Sequence, residues 1–480
     1  MPRPKEQQRT VFLCLDCGYE NSKWMGFCPS PGCGSGQALS ETRVAPASPA
    51  SRHSWVGATA EPLQELSQLN SDDQQRIALP SAELNRVLGG GIVPGSVSLL
   101  AGEPGVGKST LLLQIARYIS STAQSVMYAS GEESPHQIKL RSQRLGISGE
   151  GIFLLSETDV EQILVRLEEC RPALAIVDSI QTLYTQDAPS GPGSVVQVRE
   201  CGLRLLRWAK QRNVPLLIAG HMTKDGSLAG PRVLEHMVDT VMYLEGEDLN
   251  SYRVLRNGKN RFGSTTEVGV FEMTGQGLID VPDPSQALLA QRYEHSVGAA
   301  LVPVLEGTRP LLLEVQALTS PSYAQVPRRV ANGVDYNRLL MLAAVSSRRA
   351  GLDIAGQDII VSIAGGFKVT EPAMDLGVVM AIASSLQNQP INGSSVLLGE
   401  VGLSGELRNV PQVERRLQEV SRLGLAQCIL PETARRDVTR SSNLELVFVS
   451  TVREACNAML GKQQRGNKKN QPSSNPTEGA

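Results

Sequence analysis

Aromatic residues make up only 4% of the 480 residues, and just three are Trp. That excludes a binding face built on many stacked rings. Charge of one sign is also lacking. Lys plus Arg number 46 and Asp plus Glu 48, for a net charge of −2. A globally basic nucleic-acid coat protein is therefore excluded, and any such contact must come from a local patch. No apolar run approaches the ~18 residues needed to cross a bilayer. The opening MPRPKEQQRT has no apolar core of a secretion signal. The expected location is the cytoplasm, with no membrane partner. Eight cysteines in a chain this long are too sparse for a secreted disulfide scaffold.

Four of the eight lie close together. Cys14-x2-Cys17 and Cys28-x4-Cys33 are two knuckles separated by ten residues. Four thiolates at such spacing suit one Zn²⁺ in a closed, tetrahedral, structural site. The second knuckle, CPSPGC, is longer than the usual two-residue spacing. So short a segment buries too little core to fold alone, and metal binding would supply the folding free energy. The expected organisation is a four-Cys zinc finger at 11–36 and a flexible linker at 37–68, rich in Ser, Ala, Pro and Thr. An α/β domain follows at 69–285, where SVSLLA, SVMYAS, LAIVDS, VPLLIAG and DTVMYLE alternate with amphipathic stretches as parallel βαβ units do. A second domain mixing strands and helices occupies 286–460, and a polar, disordered tail 461–480.

The chemistry concentrates in the middle domain. Gly102-Glu103-Pro104-Gly105-Val106-Gly107-Lys108-Ser109-Thr110 matches the phosphate-binding pattern G-x-x-x-x-G-K-[ST]. It follows the strand SVSLLA and opens the helical run STLLLQIARYIS, the context that motif requires. Glycines let backbone N–H groups wrap phosphates, and the helix N-terminus adds its positive end. Lys108 would reach the β- and γ-phosphates of ATP, and Ser109 would ligate Mg²⁺. The apolar strand in LAIVDS ends in Asp178, the Walker-B candidate: the carboxylate that would hold Mg²⁺ together with Ser109. Gly131-Glu132-Glu133 follows SVMYAS. A carboxylate there, at the end of a neighbouring parallel strand, would orient the attacking water, and Glu132 is favoured over Glu133. His221, ending VPLLIAG, reads equally as a γ-phosphate sensor and as a satisfied polar strand end.

The four-cysteine island, the loop GEPGVGKST and the pentapeptide Lys259-Asn260-Arg261-Phe262-Gly263, in that order, make the chain resemble the RadA (Sms) family of bacterial DNA repair proteins. The resemblance covers about 11–455. It implies a RecA-like ATPase core related to hexameric replicative helicases, and a C-terminal α+β domain similar to the proteolytic domain of Lon. It places Lys259 and Arg261 in an inter-subunit, DNA-associated apparatus. The implied activity is DNA-stimulated, helicase-like ATP hydrolysis on single-stranded and branched DNA, extending heteroduplex alongside the RecA recombinase. The implied assembly is a homo-oligomer, a hexameric ring.

Aligned without gaps on the Lon pattern, Asp375 falls at the catalytic serine and Glu414 at the catalytic lysine. Two carboxylates supply neither the hydroxyl nucleophile nor the amine base of a Ser–Lys dyad. The expected domain is a pseudo-protease scaffold. Arg328, Arg329, Arg338, Arg348, Arg349 and Lys368 are candidates for a DNA-facing surface. The segment 185–200 is expected to be a mobile loop with Arg199 on it. Two competing readings are an ATP-dependent Lon-type protease and a RecA-superfamily signalling ATPase with no DNA role.

Overall fold

The computed structural model describes residues 9–14, 19–29, 33, 39–44, 65, 76–122, 124–188, 190–222, 232–246, 251–290, 292–293, 296–438 and 444–460. Most of the expected linker, and the whole expected tail, lie outside these. The chain divides into two units, Met1–Pro284 with Glu306–Arg309, and Ser285–Leu305 with Pro310–Ala480.

The N-terminal island carries three antiparallel strands, β1 (Arg9–Leu13), β2 (Glu20–Asn21) and β3 (Ser40–Val44), in the order β2-β1-β3. β3 falls inside the stretch expected to be linker: all five of its residues pair with β1. Cys14, Cys28 and Leu39 form a small core, packed by Phe12, Tyr19, Met25 and Cys33.

The ATPase core is a nine-stranded sheet. β4 (Val97–Gly102), β5 (Val126–Ser130), β6 (Ile152–Ser156), β7 (Leu174–Asp178), β8 (Leu216–His221) and β9 (Thr240–Glu245) run parallel. β10 (Tyr252–Asn260), β11 (Val268–Thr274) and β12 (Gly277–Asp280) extend the sheet antiparallel. The order is β12-β11-β10-β9-β4-β8-β7-β5-β6. Every residue of β4, β5 and β7 is buried, as strands covered by helices on both faces must be. One core lies under the helix Lys108–Ser120, through Leu112, Ile115 and Ile119. The other lies under the helix Val195–Arg212, through Val198, Leu205 and Trp208. Each such side chain contributes roughly 1.5–3 kcal/mol by leaving water.

The C-terminal unit holds β13 (Ala299–Glu306), β14 (Arg309–Pro321), β15 (Arg329–Asn332), β16 (Gln357–Ile363), β17 (Ser395–Leu397), β18 (Glu400–Val401), β19 (Leu407–Arg408), β20 (Gln427–Pro431) and β21 (Glu445–Val449). Seven of them form a mixed sheet, β15-β16-β14-β13-β17-β20-β21, and β18 and β19 form a separate hairpin. The helix Asp375–Gln387 is buried on every side from Asp375 to Ser384. Its run LGVVMAIA has no polar stripe, the pattern of a central helix.

Candidate nucleotide-hydrolysis site

The phosphate loop leaves β4 at Gly102 and enters the helix Lys108–Ser120 at Gly107. Gly105 (φ 83°) and Gly107 (φ 115°) adopt left-handed backbone that glycine alone accepts without strain. A Cβ on Gly107 would also meet Met273 Cε at 2.5 Å. Glu103 and Pro104 are exposed at the turn, and Val106 is buried. The buried Arg253 of β10 donates from Nε to the Val106 carbonyl at 3.1 Å, tying the loop to the antiparallel extension. Ser109 and Thr110 lie half-buried in the helix's first turn.

Lys108 is buried. Its Nζ donates to the carbonyls of Gly102 and Glu103, each at 2.9 Å. Burial lowers its pKa, while the carboxylates of Asp178 and Glu132 pull the other way. A lysine held by two neutral carbonyls keeps its charge available for a stronger acceptor, the chemistry a triphosphate supplies.

Asp178 ends β7 and is buried. Its Oδ2 accepts from Tyr128 Oη at 2.6 Å. Burial, then the charge of Asp178, pushes the Tyr128 phenol well above its ordinary value, so it stays a donor. Glu132 reaches the same locality, although its strand is not beside β4. β8 and β7 stand between β4 and β5. The expectation that Glu132 follows an adjacent strand is thus corrected. The chain turns inward after β5, at Gly131, where a Cβ would come within 2.1 Å of Thr182 Oγ1.

Glu132 Oε1 pairs with His221 Nε2 at 2.8 Å and accepts from Ser179 Oγ. The His221 bond is the largest cause holding its pKa down at about 2, with burial opposing. His221 Nδ1 is buried with no hydrogen-bond partner among the described residues, as are both amide atoms of Gln181. Glu133 is drawn elsewhere, to Arg141 at 2.5 Å. Lys108, Asp178, Glu132 and His221 therefore converge at the ends of β4, β5, β7 and β8.

Lys259 and Arg261 lie at a different place on the same unit. The Lys259 Nζ donates to the carbonyls of Glu235 (2.9 Å), His236 (3.1 Å) and Val238 (2.7 Å), closing the end of the helix Arg232–Met237. Arg261 pairs at 3.4 Å with the buried Asp239, which also holds Lys210 and the Val97 amide. Phe262 presents its carbonyl to Arg76 Nη2 at 2.6 Å, and Asn260 Nδ2 donates to Val87 O at 3.2 Å. The pentapeptide is thus pinned to the strand and helix beside it.

The expected mobile segment is shorter than 185–200. A helix begins at Val195 behind the N-cap Ser194, so Arg199 is an exposed helical residue and not a loop residue. The buried Gln197 holds the preceding turn: its amide donates to the carbonyls of Thr185, Ala188 and Ser190, and accepts from the Thr185 N–H.

In the C-terminal unit Asp375 is fully buried. It pairs with Arg338 through both carboxylate oxygens and accepts from the Val401 N–H at 3.0 Å. Burial raises its pKa, with Arg338 opposing. Arg338 is therefore a partner of Asp375, also 3.8 Å from Glu400, and is not an open surface cation as expected. Arg329 donates to the carbonyls of Gln357 (2.5 Å) and Arg328 (2.9 Å). Glu414 is half-buried in the first turn of the helix Val413–Arg422.

In the island, the sulfurs of Cys14, Cys28 and Cys33 lie within 4.8 Å of one another, with Cys14 and Cys33 at 3.7 Å. Thiolates around a tetrahedral Zn²⁺ with Zn–S ≈ 2.3 Å stand about 3.8 Å apart. The donor set fits zinc. Cys17 lies outside the described residues.

Tyr128, Ser179, Gln181 and Arg253 escape sequence reasoning, since nothing in their local pattern separates them from ordinary strand or loop residues. The parallel sheet and phosphate loop define a RecA-like P-loop ATPase joined to a Lon-protease-like unit. A model described as an AAA domain matches residues 59–227, and one described as subunit ChlI of Mg-chelatase matches 334–434. The chain is 46% identical over 94% of its length to the DNA repair protein RadA of Bacillus subtilis, covering 99% of that protein. It is 46% identical over 95% to the RadA of Halalkalibacterium halodurans, covering all of it. It is 43% identical over 95% to that of Listeria monocytogenes, covering 99%. The chain belongs to the DNA repair protein RadA family.

Proposed function

We propose that the protein is a DNA-stimulated ATP hydrolase of recombinational DNA repair. It acts on single-stranded and branched DNA with the RecA recombinase, as a hexameric ring in the cytoplasm. The observation that carries the reading is the meeting of Lys108, Asp178 and Glu132, in a chain aligned end to end with DNA repair relatives. In the proposed mechanism Lys108 leaves the Gly102 and Glu103 carbonyls for the β- and γ-phosphates. Ser109 and Asp178 hold the site for Mg²⁺, which neutralises phosphate charge when bound. Glu132 takes the proton of the attacking water once His221 releases it, and His221 turns to the γ-phosphate.

Lys259 and Arg261 belong, in this proposal, to a subunit boundary. The support is that Arg261 keeps over half of its side chain exposed, and that Lys259 donates to three backbone carbonyls. Exchange of such bonds on phosphate loss is how hydrolysis moves DNA-contacting elements. The C-terminal unit is proposed as a protease-inactive scaffold. Asp375, tied to Arg338 where a nucleophile would stand, supports this. Cys14, Cys17, Cys28 and Cys33 would hold the structural Zn²⁺. The deciding experiment is ATP turnover with and without single-stranded DNA, for the wild type and Lys108→Ala. The reading requires stimulation in the first and near-complete loss in the second. Turnover indifferent to DNA would leave a signalling ATPase.

A further inference from the structure

The N-terminal island exposes two large rings that nothing in the nucleotide site uses. Trp24 is 60% exposed and Phe27 61%. The chain forces them outward. Between them Met25 packs into the small core beside Cys14, Cys28 and Leu39, and its carbonyl accepts from the Leu39 N–H at 2.9 Å. Asn21 Nδ2 donates to the Met25 sulfur at 3.1 Å, fixing that side chain inward. With Met25 and Cys28 committed to the core, Trp24 and Phe27 are left largely exposed among the described residues. A Cβ on Gly26 would stand 3.7 Å from Trp24 Cη2, so the indole lies along bare backbone at that glycine. Lys23, also exposed, immediately precedes the pair.

We infer that Lys23, Trp24 and Phe27 form a stacking face for single-stranded nucleic acid. This rests on the DNA reading proposed above and assigns the island a share of it. The island's dimensions favour bases over a protein partner. A stable protein contact takes about 800 Å² per side and a ring of packed neighbours around its anchor. Among the described residues, an island whose core is Cys14, Cys28 and Leu39 offers no such surround. A base needs only an exposed π-face with a cation near the backbone phosphate.

The test uses the full-length, zinc-loaded protein and oligothymidylate. Only Trp24, Trp55 and Trp208 fluoresce as indoles, and Trp208 is buried. In the wild type, oligothymidylate should quench part of the tryptophan emission. Trp24→Phe should abolish that part while keeping the affinity within about two-fold, because Phe still stacks. Trp24→Ala with Phe27→Ala should weaken binding roughly ten-fold or more. Lys23→Ala should flatten the salt dependence. Zinc content and DNA-free ATP turnover should stay at wild-type levels throughout. If Trp24→Ala loses zinc, the Trp24→Phe and Lys23→Ala arms decide. Unchanged affinity in all variants, with DNA still stimulating ATP turnover, would overturn the stacking face alone. A wild type that neither binds oligothymidylate nor responds to it would overturn the DNA reading as well.

Discussion

Glu132 accepts two hydrogen bonds on one carboxylate oxygen, from His221 and Ser179. Both stabilise the anion and weaken it as a base, so the observed arrangement restrains the residue proposed to activate water. Glu132→Gln should cut turnover by roughly 10²–10⁴-fold and leave nucleotide binding in place, checked by single-turnover hydrolysis and a binding isotherm. His221→Ala should shift the acid limb of kcat/KM, which reports the nucleotide-free enzyme. With the pKa depressed to about 2, Glu132 is ionised at every pH above that value and is lost only as pH falls through it. Without the His221 bond the carboxyl rises toward its ordinary value of about 4.3, and the acid limb moves up in pH. A pH–rate profile with an unmoved limb would remove Glu132 from the base role. Arg338→Ala would strand the buried Asp375 beside the Val401 N–H alone. Breaking a buried pair typically costs 3–5 kcal/mol, and partial exposure of Arg338 reduces that to about 2–3 kcal/mol, readable as a lower denaturant midpoint.

At the scale of elements, the turn after β7 is held from the helix that follows it, by Gln197 and by Arg204, which pairs with Asp187 at 2.7 Å. Gln197 supplies four hydrogen bonds to residues 185–190 from the helix that follows. Gln197→Ala should free that turn at a cost of roughly 1–3 kcal/mol, because buried carbonyls lose their donors. Hydrogen exchange at the Thr185 amide should accelerate sharply while the strands stay protected. Earlier in the same connection lies Gln181, whose amide is buried without a partner among the described residues, next to the His221 strand. The antiparallel strands β10–β12 have a comparable holding role: Arg253 on β10 grips Val106, and the pentapeptide after it closes on Val87 and Arg76. A phosphate loop is usually read as a local motif. Here its far side is set by residues about 150 positions downstream.

For the whole molecule, the island and the ATPase core fold for different reasons. The core buries apolar strands on both faces, whereas among the described residues the island buries only Cys14, Cys28 and Leu39. Chelating the proposed zinc should therefore unfold the island and leave DNA-free ATP turnover near its starting rate, followed by thiol titration alongside the ATPase assay. Among the described residues no helix is long and apolar enough to cross a membrane.

The sequence by itself determined the phosphate loop, the carboxylate ending β7, the parallel α/β core and the two carboxylates at the positions it aligned with the Lon catalytic pair. Each is a local pattern: glycine spacing, an apolar run with a polar end, a residue type at an aligned position. It placed Glu132 near the phosphates, but for a reason the fold does not use. Only tertiary structure decided the strand order that puts β8 and β7 between β4 and β5, and with it the meeting of His221 and Glu132 across 89 residues. It also decided that Arg338 is spent on Asp375 and that Lys259 closes a helix. A basic side chain reads alike whether it faces solvent or a buried acid. Its partner is chosen by strands and helices that arrive from far along the chain, and no local periodicity records that choice.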